Sequence, residues 1–407
     1  MLSWEQVFAT RASRMKASEI RELLKLLERP DIISFAGGIP DPALFPKDAF
    51  AQAYAEVLSG PDAAAGLQYS VSEGYAPLRE WLVGQLAKLA IPCTIDNVFI
   101  VSGSQQGLDY LGKLFLSPKD TALVTRPTYL GALQAFNAYE PTYDELNLGG
   151  NRTPEAYRAT AAQAGGRVKF AYLSADFANP TGETLDHAGR EKLLDLAAEL
   201  DIPVIEDAAY QSLRYEGEAI PPIMALDIAR CGGVDASRTI YCGSFSKTLA
   251  PGLRVGFIVA AAPIIRKLVL MKQAADLHSS TINQMAIAHV AGGIFDAQVA
   301  KIRAVYRERR DAMLDALARH MPEGVRWTHP EGGMFIWITL PAGMNGAALL
   351  ARAIETEKVA FVPGQAFHAD GGGANTLRVS FSCADPATIA EGISRLGRVI
   401  SLERLAA

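Results

Sequence analysis

Lys247 is the residue whose position most suggests chemistry. It follows the short apolar stretch Thr239–Cys242 within a run of small residues, Gly243-Ser-Phe-Ser-Lys247. Such a stretch is typical of a buried strand. Desolvation or a nearby cation would lower the pKa of a lysine at its end and make the amine nucleophilic. Most lysines are solvated surface groups, so the position alone does not define a catalytic site.

A carboxylate follows a second apolar stretch in the same way. Glu206 and Asp207 come directly after Pro203–Ile205, and Tyr210 lies three residues beyond Asp207. A buried acid is costly unless it has a partner. That partner can be a nearby arginine or the protonated ring nitrogen of a cofactor, and Tyr210 can place a hydroxyl near it.

Three further apolar stretches are followed by residues with possible binding roles. Ser102-Gly-Ser-Gln105 can lead from a strand into a helix, whose free N–H groups and partial positive charge suit a phosphate. Tyr129 can belong to the core or stack on a flat ligand. Asn179-Pro180 taken alone indicates only a turn.

These side chains need a scaffold that brings several strand ends together. From about residue 96, short apolar stretches alternate with longer helical ones such as Gly189–Leu200. Buried strands separated by helices predict an α/β fold with a mostly parallel sheet, in which ligands bind at the carboxyl ends of the strands. The predicted strands are Val98–Val101, Thr121–Val124, Val168–Leu173, Pro203–Ile205, Thr239–Cys242 and Val255–Ala260.

The pattern changes after about residue 290, where a smaller α+β domain is predicted. Its elements are a long helix over Gln298–Met321 and strands at Met334–Thr339, Val359–Phe361 and Leu377–Ser380. Near the N-terminus, an apolar stripe over Ile20–Leu27 predicts a helix, and the Gly- and Pro-rich segment Ser34–Pro42 predicts a loop. We therefore predict a large domain over residues 48–297 and a small domain formed by residues 1–47 and 298–407.

Composition excludes several classes of protein. The chain has 407 residues, of which 49% are hydrophobic and 20% charged, so it is globular and long enough for two domains. The 39 basic and 44 acidic residues argue against a nucleic-acid-binding surface. No apolar run is long enough for a membrane span, and no secretion signal is evident. Four scattered cysteines predict a reducing cytoplasm without disulfides, and none of the six histidines has metal-ligand spacing, so no metal is expected.

Taken in order, the strand-end groups resemble those of the fold-type I pyridoxal-phosphate enzymes, specifically the class I/II aminotransferases. The resemblance covers nearly the whole chain and is closest to the 2-aminoadipate and kynurenine aminotransferase-like branch. The phrases that carry this closer match are Ile20-Arg-Glu-Leu-Leu-Lys-Leu, Ser34-Phe-Ala-Gly-Gly, Gln68-Tyr-Ser, Ser102-Gly-Ser-Gln-Gln, Gly243-Ser-Phe-Ser-Lys and Asn375-Thr-Leu-Arg. The resemblance implies a seven-stranded, mostly parallel sheet in the large domain and pyridoxal 5'-phosphate as the cofactor.

The resemblance also implies roles for residues around the cofactor ring. Lys247 would bond to the cofactor aldehyde and, once released, move a proton as general base and acid. Asp207 would keep the pyridine nitrogen protonated. Asn179 and Tyr210 would hydrogen-bond the phenolic oxygen, and Tyr129 would stack on the ring.

The remaining implied roles concern the phosphate and the substrate. Arg378 would bind the substrate α-carboxylate together with Asn179, and the loop at Gly38 would cover the substrate. Arg21 would meet a distal substrate carboxylate, and Tyr69 would reach the phosphate of a neighbouring subunit in a homodimer. The expected cofactor site is completed by Ser104, Gln105, Ser244, Ser246 and Arg254.

The function implied is amino-group exchange between an L-amino acid and 2-oxoglutarate by a ping-pong mechanism. The expected amino acids are 2-aminoadipate and glutamate, with leucine or aromatic residues tolerated. Asp176 departs from the related aminoadipate enzymes; it either faces the site and disfavours acidic side chains or is a solvated loop residue.

Several alternatives to this function stay open. An aromatic or branched-chain aminotransferase, or another reaction on the same fold such as a decarboxylase or lyase, is compatible with the motifs. A cofactor-binding sensor domain is disfavoured, because no room is left for a DNA-binding module. Ser244-x-x-Lys247 matches the spacing of serine acyl-enzymes, but their S-D-N and K-T-G tripeptides are absent.

Overall fold

A seven-stranded sheet organises the larger part of the chain in a computed structural model, which describes residues 2–15 and 31–406. The strands, in chain order, are β1 Ile33–Ser34, β2 Val98–Val101, β3 Thr121–Val124, β4 Thr142–Glu145, β5 Val168–Leu173, β6 Val204–Asp207, β7 Thr239–Ser244, β8 Gly256–Val259, β9 Arg326–Trp327, β10 Phe335–Thr339, β11 Val359–Ala360, β12 Val362–Pro363 and β13 Thr376–Ser380. The large sheet has the order β2-β8-β7-β6-β5-β3-β4. Only β8 runs antiparallel to its neighbours, so the predicted mostly parallel α/β sheet is confirmed.

Within the large sheet, the strand missing from the sequence prediction is β4; the two-residue strands β1, β9 and β12 outside it were also not predicted. Its four residues, Thr-Tyr-Asp-Glu, are all only partly buried, because β4 lies at the edge of the sheet beside β3. An edge strand that is half exposed carries no apolar run, which is the signal that identified the other six strands. Those six occur where they were predicted, within a few residues at each end.

Helices cover the sheet and follow ordinary rules for their ends. The helix His187–Leu200 begins after Asp186, whose side chain accepts a hydrogen bond from the Gly189 N–H, and it buries Leu193, Leu194 and Ala197. The α-helices in the described residues are Trp4–Val7, Lys47–Ser59, Ala63–Leu67, Ala76–Lys88, Ser104–Phe115, Leu130–Asn137, Pro154–Gln163, His187–Leu200, Ile223–Cys231, Ala262–Gln273, Thr281–His320, Gly346–Arg352 and Pro386–Ala406. None of them is both long and apolar enough to cross a membrane.

The longest helix connects the two parts of the chain. Thr281–His320 is 40 residues long and begins well before Gln298, the residue at which the sequence pattern predicts its start. It packs against Lys47–Ser59 on the side of the large sheet and against Pro386–Ala406 on the other side. The early part was missed because its periodicity is interrupted by the pair Gly292-Gly293.

A second, smaller sheet has the strand order β12-β13-β10-β9. Its neighbours pair antiparallel, and β1 near the N-terminus pairs parallel with β11. Phe335, Ile338 and Val379 are fully buried in the core beneath this sheet. Arg378 lies in the middle of β13 and is also buried, although it is charged. The predicted helix over Ile20–Leu27 falls outside the described residues.

Candidate active site

A cavity of about 380 Å³ lies at the carboxyl ends of the strands of the large sheet. This is where parallel α/β sheets bind their ligands. The residues that line it are Gly38, Ile39, Ser104, Gln105, Tyr129, Leu130, Gly131, Gln134, Ser174, Asn179, Asp207, Ala209, Tyr210, Ser244, Ser246, Lys247, Pro251, Arg254 and Arg378. The cavity therefore brings together twelve of the fourteen residues named from the sequence.

Lys247 reaches into the cavity from the turn after β7. Its Nζ donates a hydrogen bond to the Gly38 carbonyl at 3.0 Å and lies 5.7 Å from the centre of the Tyr210 ring. Burial lowers the pKa of Lys247 to about 8, and the positive charges of Arg378 and Arg254 act in the same direction. A substantial fraction of the amine is therefore neutral near physiological pH, as a nucleophile or general base requires.

Asp207 ends β6 and is 4% exposed. Its Oδ2 accepts a hydrogen bond from the Tyr172 hydroxyl at 2.8 Å, whereas its Oδ1 is buried and has no hydrogen-bond partner among the described residues. Burial raises the pKa of Asp207, and the hydrogen bond from Tyr172 opposes that rise. A buried oxygen without a partner is costly, so the cavity offers an acceptor ready for a donor from a ligand.

The adjacent Glu206 has a different role from Asp207, because successive residues of a strand face opposite sides of the sheet. Its two carboxylate oxygens accept the N–H groups of Ile223 and Met224 at 2.8 and 2.9 Å. These are the first amides of the helix Ile223–Cys231, where a negative charge is favoured. Glu206 is thus a helix-capping residue, and Asp207 alone faces the cavity.

Arg378 forms the opposite end of the cavity and is 1% exposed. One terminal nitrogen donates to Asn179 Oδ1 at 2.7 Å, and the other donates to the Ala36 carbonyl at 3.0 Å. The guanidinium lies over the Phe335 ring at 4.2 Å, and no residue that the structure describes bonds to its Nε. Burial lowers the pKa of Arg378 to about 10. Among the described residues, its guanidinium is held by the Asn179 amide and the Ala36 carbonyl and not by a carboxylate.

Asn179 links this end of the cavity to the centre. Its Nδ2 contacts the Tyr210 hydroxyl at 3.5 Å while its Oδ1 holds Arg378. The peptide bond from Asn179 to Pro180 is cis. Asn179, Tyr210 and Arg378 therefore form one hydrogen-bonded group between the two sheets.

The third part of the cavity is formed by Arg254 and the turn that follows β2. Gly103 has a φ of +79°, which strains any other residue, and a Cβ at this position would lie 2.1 Å from Arg254 Nη2 and displace the guanidinium. Arg254 donates to the carbonyls of Ser102 and Pro251 at 3.4 and 3.2 Å. The helix Ser104–Phe115 begins next, and its first amides have no intrahelical acceptor. This arrangement of N–H groups and a guanidinium suits a phosphate.

Tyr129 lies at the start of the helix Leu130–Asn137, where Gly131 gives its ring room. A Cβ at Gly131 would lie 2.4 Å from the Tyr129 ring. Gln105 donates from Nε2 to the Gly131 carbonyl at 2.6 Å and lies 3.5 Å from the Tyr129 hydroxyl. The ring is thereby fixed beside the phosphate-type turn, with Ser244 and Ser246 also on the cavity wall.

Two residues named from the sequence are not among those that line the cavity. Tyr69 is 77% exposed, and its ring meets His278 edge-on with the ring centres 6.0 Å apart. Arg21 lies outside the described residues.

Asp176 fits neither of the two alternatives derived from the sequence. It does not line the cavity, and it is buried rather than solvated, with 6% of its side chain exposed. Its carboxylate is bound by Arg190 at 2.8 Å and by Arg214 at 3.4 Å. Both alternatives were wrong because the two arginines, distant in sequence, enclose the acid.

Sequence reasoning missed the residues that support the site from behind. Tyr172, which orients Asp207, looks like any aromatic core residue of a buried strand, and only the pairing of β5 with β6 brings it close. Ser174 and Gln134 line the cavity but lie in no recognisable motif. In the described part of the chain, no group of three His, Cys, Asp or Glu residues could hold a metal ion.

The family model for aminotransferase class I and II matches residues 44–396. The chain therefore belongs to the class I and II aminotransferases. The prediction of a pyridoxal-phosphate-dependent aminotransferase of this fold is confirmed.

Similar proteins are known at the level of sequence and structure. The chain is 45% identical over 399 residues to the 2-aminoadipate transaminase of Thermus thermophilus, covering 98% of both chains. It is 43% identical over 411 residues to aromatic-amino-acid aminotransferase 1 of Thermococcus litoralis, covering 99% of this chain and 96% of that protein. A crystal structure of LysN, an alpha-aminoadipate aminotransferase from Thermus thermophilus complexed with N-(5'-phosphopyridoxyl)-L-leucine, matches with a TM-score of 0.88 and 41% identity over all of both chains.

Proposed function

We propose that the protein transfers the amino group of an L-amino acid to 2-oxoglutarate by a ping-pong mechanism. The observation that carries the proposal is the convergence of the Lys247 amine, the unpaired Asp207 oxygen and the buried Arg378 cation on one cavity. Each has the chemistry that one step of a transamination needs: an amine for proton transfer, an acceptor for a ring N–H, and a site for an α-carboxylate.

Four parts of the cavity support the binding of pyridoxal phosphate. Asp207 Oδ1 would accept the proton of the ring nitrogen, Tyr129 would cover the ring face, and Asn179 with Tyr210 would bond the phenolic oxygen. Arg254 and the amides at Ser104 would bind the phosphate, with Gln105, Ser244 and Ser246 around it. The bound cofactor supplies an electron sink for bond breaking at the substrate Cα.

Lys247 would carry the proton during the reaction. A lysine whose pKa lies near 8 is close to the pH at which general acids and bases work best. Its hydrogen bond to the Gly38 carbonyl keeps the amine beside the loop that would cover the substrate. The same amine would hold the cofactor between turnovers.

Arg378 would bind the substrate α-carboxylate and fix its orientation. Its terminal nitrogens are held by Asn179 and Ala36, and its charge has already been removed from water. A carboxylate that binds there gains a charge-assisted hydrogen bond without the cost of ordering a flexible side chain.

The proposed substrates are 2-aminoadipate and glutamate, with leucine and aromatic amino acids also accepted. The names of the relatives, and the leucine derivative bound to LysN, support this range. Ile39 and Leu130 give the cavity apolar surface for a neutral side chain. For a distal carboxylate we propose Arg21, so that Arg21→Ala should reduce activity on dicarboxylic amino acids and spare leucine. Equal losses on both would contradict that role.

The protein is further proposed to be a cytoplasmic homodimer of two-domain subunits. The exposed Tyr69 would reach the cofactor phosphate of a second subunit in a homodimer with shared sites. Residues 48–297 would form the large domain, and residues 1–47 and 298–407 the small one. Free cysteines at Cys93, Cys231, Cys242 and Cys383 support a location in the reducing cytoplasm.

The decisive experiment is a visible absorption spectrum of the purified protein loaded with pyridoxal phosphate. Single amino acids are added without an oxo acid. We expect 2-aminoadipate and glutamate to bleach the cofactor band, and 2-oxoglutarate to restore it. A band that persists with every amino acid would contradict transamination, and no band after adding the cofactor would contradict the site.

A further inference from the structure

Lys272 is a buried lysine that lies outside the cavity. It lies in the last turn of the helix Ala262–Gln273, and none of its side chain is exposed. Lysines are among the residues least often buried completely, because removing the ammonium from water is costly. A lysine in such a place indicates a specific structural requirement.

The ammonium of Lys272 has a full set of acceptors. Its Nζ donates to Gln106 Oε1 at 2.8 Å and to the two carboxylate oxygens of Asp276 at 3.0 and 3.1 Å. An ammonium has three N–H donors, so its hydrogen-bonding capacity is used completely. Burial lowers the pKa of Lys272, and the hydrogen bond and charge of Asp276 oppose the change.

The same two partners hold the residue that begins the phosphate-type turn. Gln106 Oε1 also accepts the backbone N–H of Ser102 at 2.8 Å, and Gln106 Nε2 donates to Asp276 at 2.7 Å. The Ser102 hydroxyl donates to Asp276 at 3.3 Å. Lys272, Gln106, Asp276 and Ser102 thus form one connected hydrogen-bonded group, which we call the lysine cluster. Tyr110 adds a bond to Asp276, and Ser279 adds one to Ser102.

The lysine cluster is in direct contact with the turn that carries the phosphate-type site. The carbonyl of Ser102 accepts a hydrogen bond from Arg254, and Gly103 packs against the same guanidinium without room for a Cβ. A shift of Ser102 would therefore move both Arg254 and the first amides of the helix that starts at Ser104. The lysine cluster fixes Ser102 through groups that do not themselves line the cavity.

We propose that Lys272 is a positioning residue for the cofactor phosphate, acting through Gln106 and Asp276 on the Ser102–Ser104 turn and on Arg254. The inference rests on the proposed function, because it takes this turn as the phosphate site. Lys272 does not line the cavity, and Asp276 neutralises its charge. Its effect is therefore one of geometry and not of direct attraction to the phosphate.

The test compares two ligands that differ only in the phosphate. Binding of pyridoxal phosphate and of pyridoxal is measured by absorbance titration of the cofactor-free protein, for the wild type and for Lys272→Met. Asp276→Asn serves as a second variant, because it keeps most of the shape of the lysine cluster. Lys88→Met is the matched control: Lys88 also faces an aspartate, at 3.5 Å, but 59% of its side chain is exposed.

We expect Lys272→Met and Asp276→Asn to weaken pyridoxal phosphate binding by roughly tenfold to a hundredfold. Pyridoxal binding should change by less than about twofold, since it uses no phosphate site. Lys88→Met should bind both ligands like the wild type. Conservative Lys272→Arg should recover part of the affinity for the phosphate form.

Three outcomes would overturn the inference. Unchanged affinity for pyridoxal phosphate in both variants would show that the turn keeps its shape without the lysine cluster. Equal losses for the two ligands would show a general structural role. A wild-type protein that binds neither ligand would instead refute the proposed function, and this inference with it.

Discussion

Two lysines with lowered pKa values differ in their partners: Lys247 is partly buried and lines the cavity, whereas Lys272 is fully buried and lies outside it. Lys247 donates to a backbone carbonyl, and no carboxylate in the described part of the chain lies within ion-pair distance of it. Lys272 is bound by Asp276 and Gln106. Burial lowers the pKa of both lysines, but only Lys272 has a neighbouring carboxylate that counteracts it at hydrogen-bonding distance. The amine of Lys272 is therefore both paired and enclosed, whereas the amine of Lys247 faces the cavity and is available for chemistry.

Asp207 and Asp276 differ in their hydrogen bonding in the same way as Lys247 and Lys272. Asp276 accepts hydrogen bonds from Lys272, Gln106 and Ser102, whereas Asp207 keeps one buried oxygen unbonded. A carboxylate with all its hydrogen bonds made stabilises the fold. A buried oxygen without a hydrogen bond costs free energy, and a ligand that donates to it removes that cost. The unbonded oxygen of Asp207 therefore marks a group that can bind a ligand, whereas the fully bonded carboxylate of Asp276 marks a structural one.

The largest expected effect comes from removing the unpaired amine. Lys247→Met should reduce the turnover of the holoenzyme by roughly 10²- to 10⁴-fold, since it removes the proposed general base and acid. The measurement is kcat with glutamate and with leucine. Lys88→Met, which breaks an exposed pair with Asp296, should leave kcat unchanged. Near-normal turnover of the Lys247→Met enzyme would refute the proposed role of Lys247 in proton transfer.

A smaller loss is expected from the unpaired carboxylate. Asp207→Asn keeps the shape and the contact with Tyr172 but loses the charge, so turnover should fall by roughly tenfold to a hundredfold. Binding of pyridoxal phosphate should persist, as an absorbance titration would show. Turnover close to that of the wild type would rule out the proposed contact with the ring nitrogen.

The sharpest contrast between the two lysines concerns the stability of the cofactor-free protein. Lys247 has a folded pKa near 8 and an ordinary value of 10.5. Below pH 8 both states are protonated, and the folded state bears the full cost of burying the charge. That cost disappears as the pH rises towards 10.5. At pH 7, Lys247→Met should therefore raise the free energy of unfolding by about 1–3 kcal/mol, and the gain should fade at high pH.

Lys272→Met should change the free energy of unfolding in the opposite direction. It leaves Asp276 without its cation and should lower the free energy of unfolding by about 2–3 kcal/mol. Urea denaturation of both variants from pH 7 to pH 10 measures the two effects side by side. If the free energy of unfolding changed in the same direction in both variants, the distinction between an unpaired Lys247 and a paired Lys272 would be wrong.

The sequence predicts the reactive groups better than it predicts what supports them. Lys247 and Asp207 can be found because each follows an apolar strand, and strand ends in a parallel sheet meet at one edge. The support of Asp207 by Tyr172, and of Ser102 by Lys272, depends on contacts between residues far apart in the chain. Nothing in local spacing encodes such contacts. Asp176 illustrates the same limit, because its burial is due to Arg190 and Arg214.

The long helix Thr281–His320 bears on how the protein can be divided. With a rise of 1.5 Å per residue, its 40 residues extend over roughly 60 Å. The proposed boundary at residue 297 cuts it in two, so fragments separated there would each carry half a helix with its packing surface uncovered. The two domains are therefore not modules that gene fusion or fragment complementation can exchange at this point. The exposed turn at Gly371, far from the helix in sequence, is the better place to open the chain.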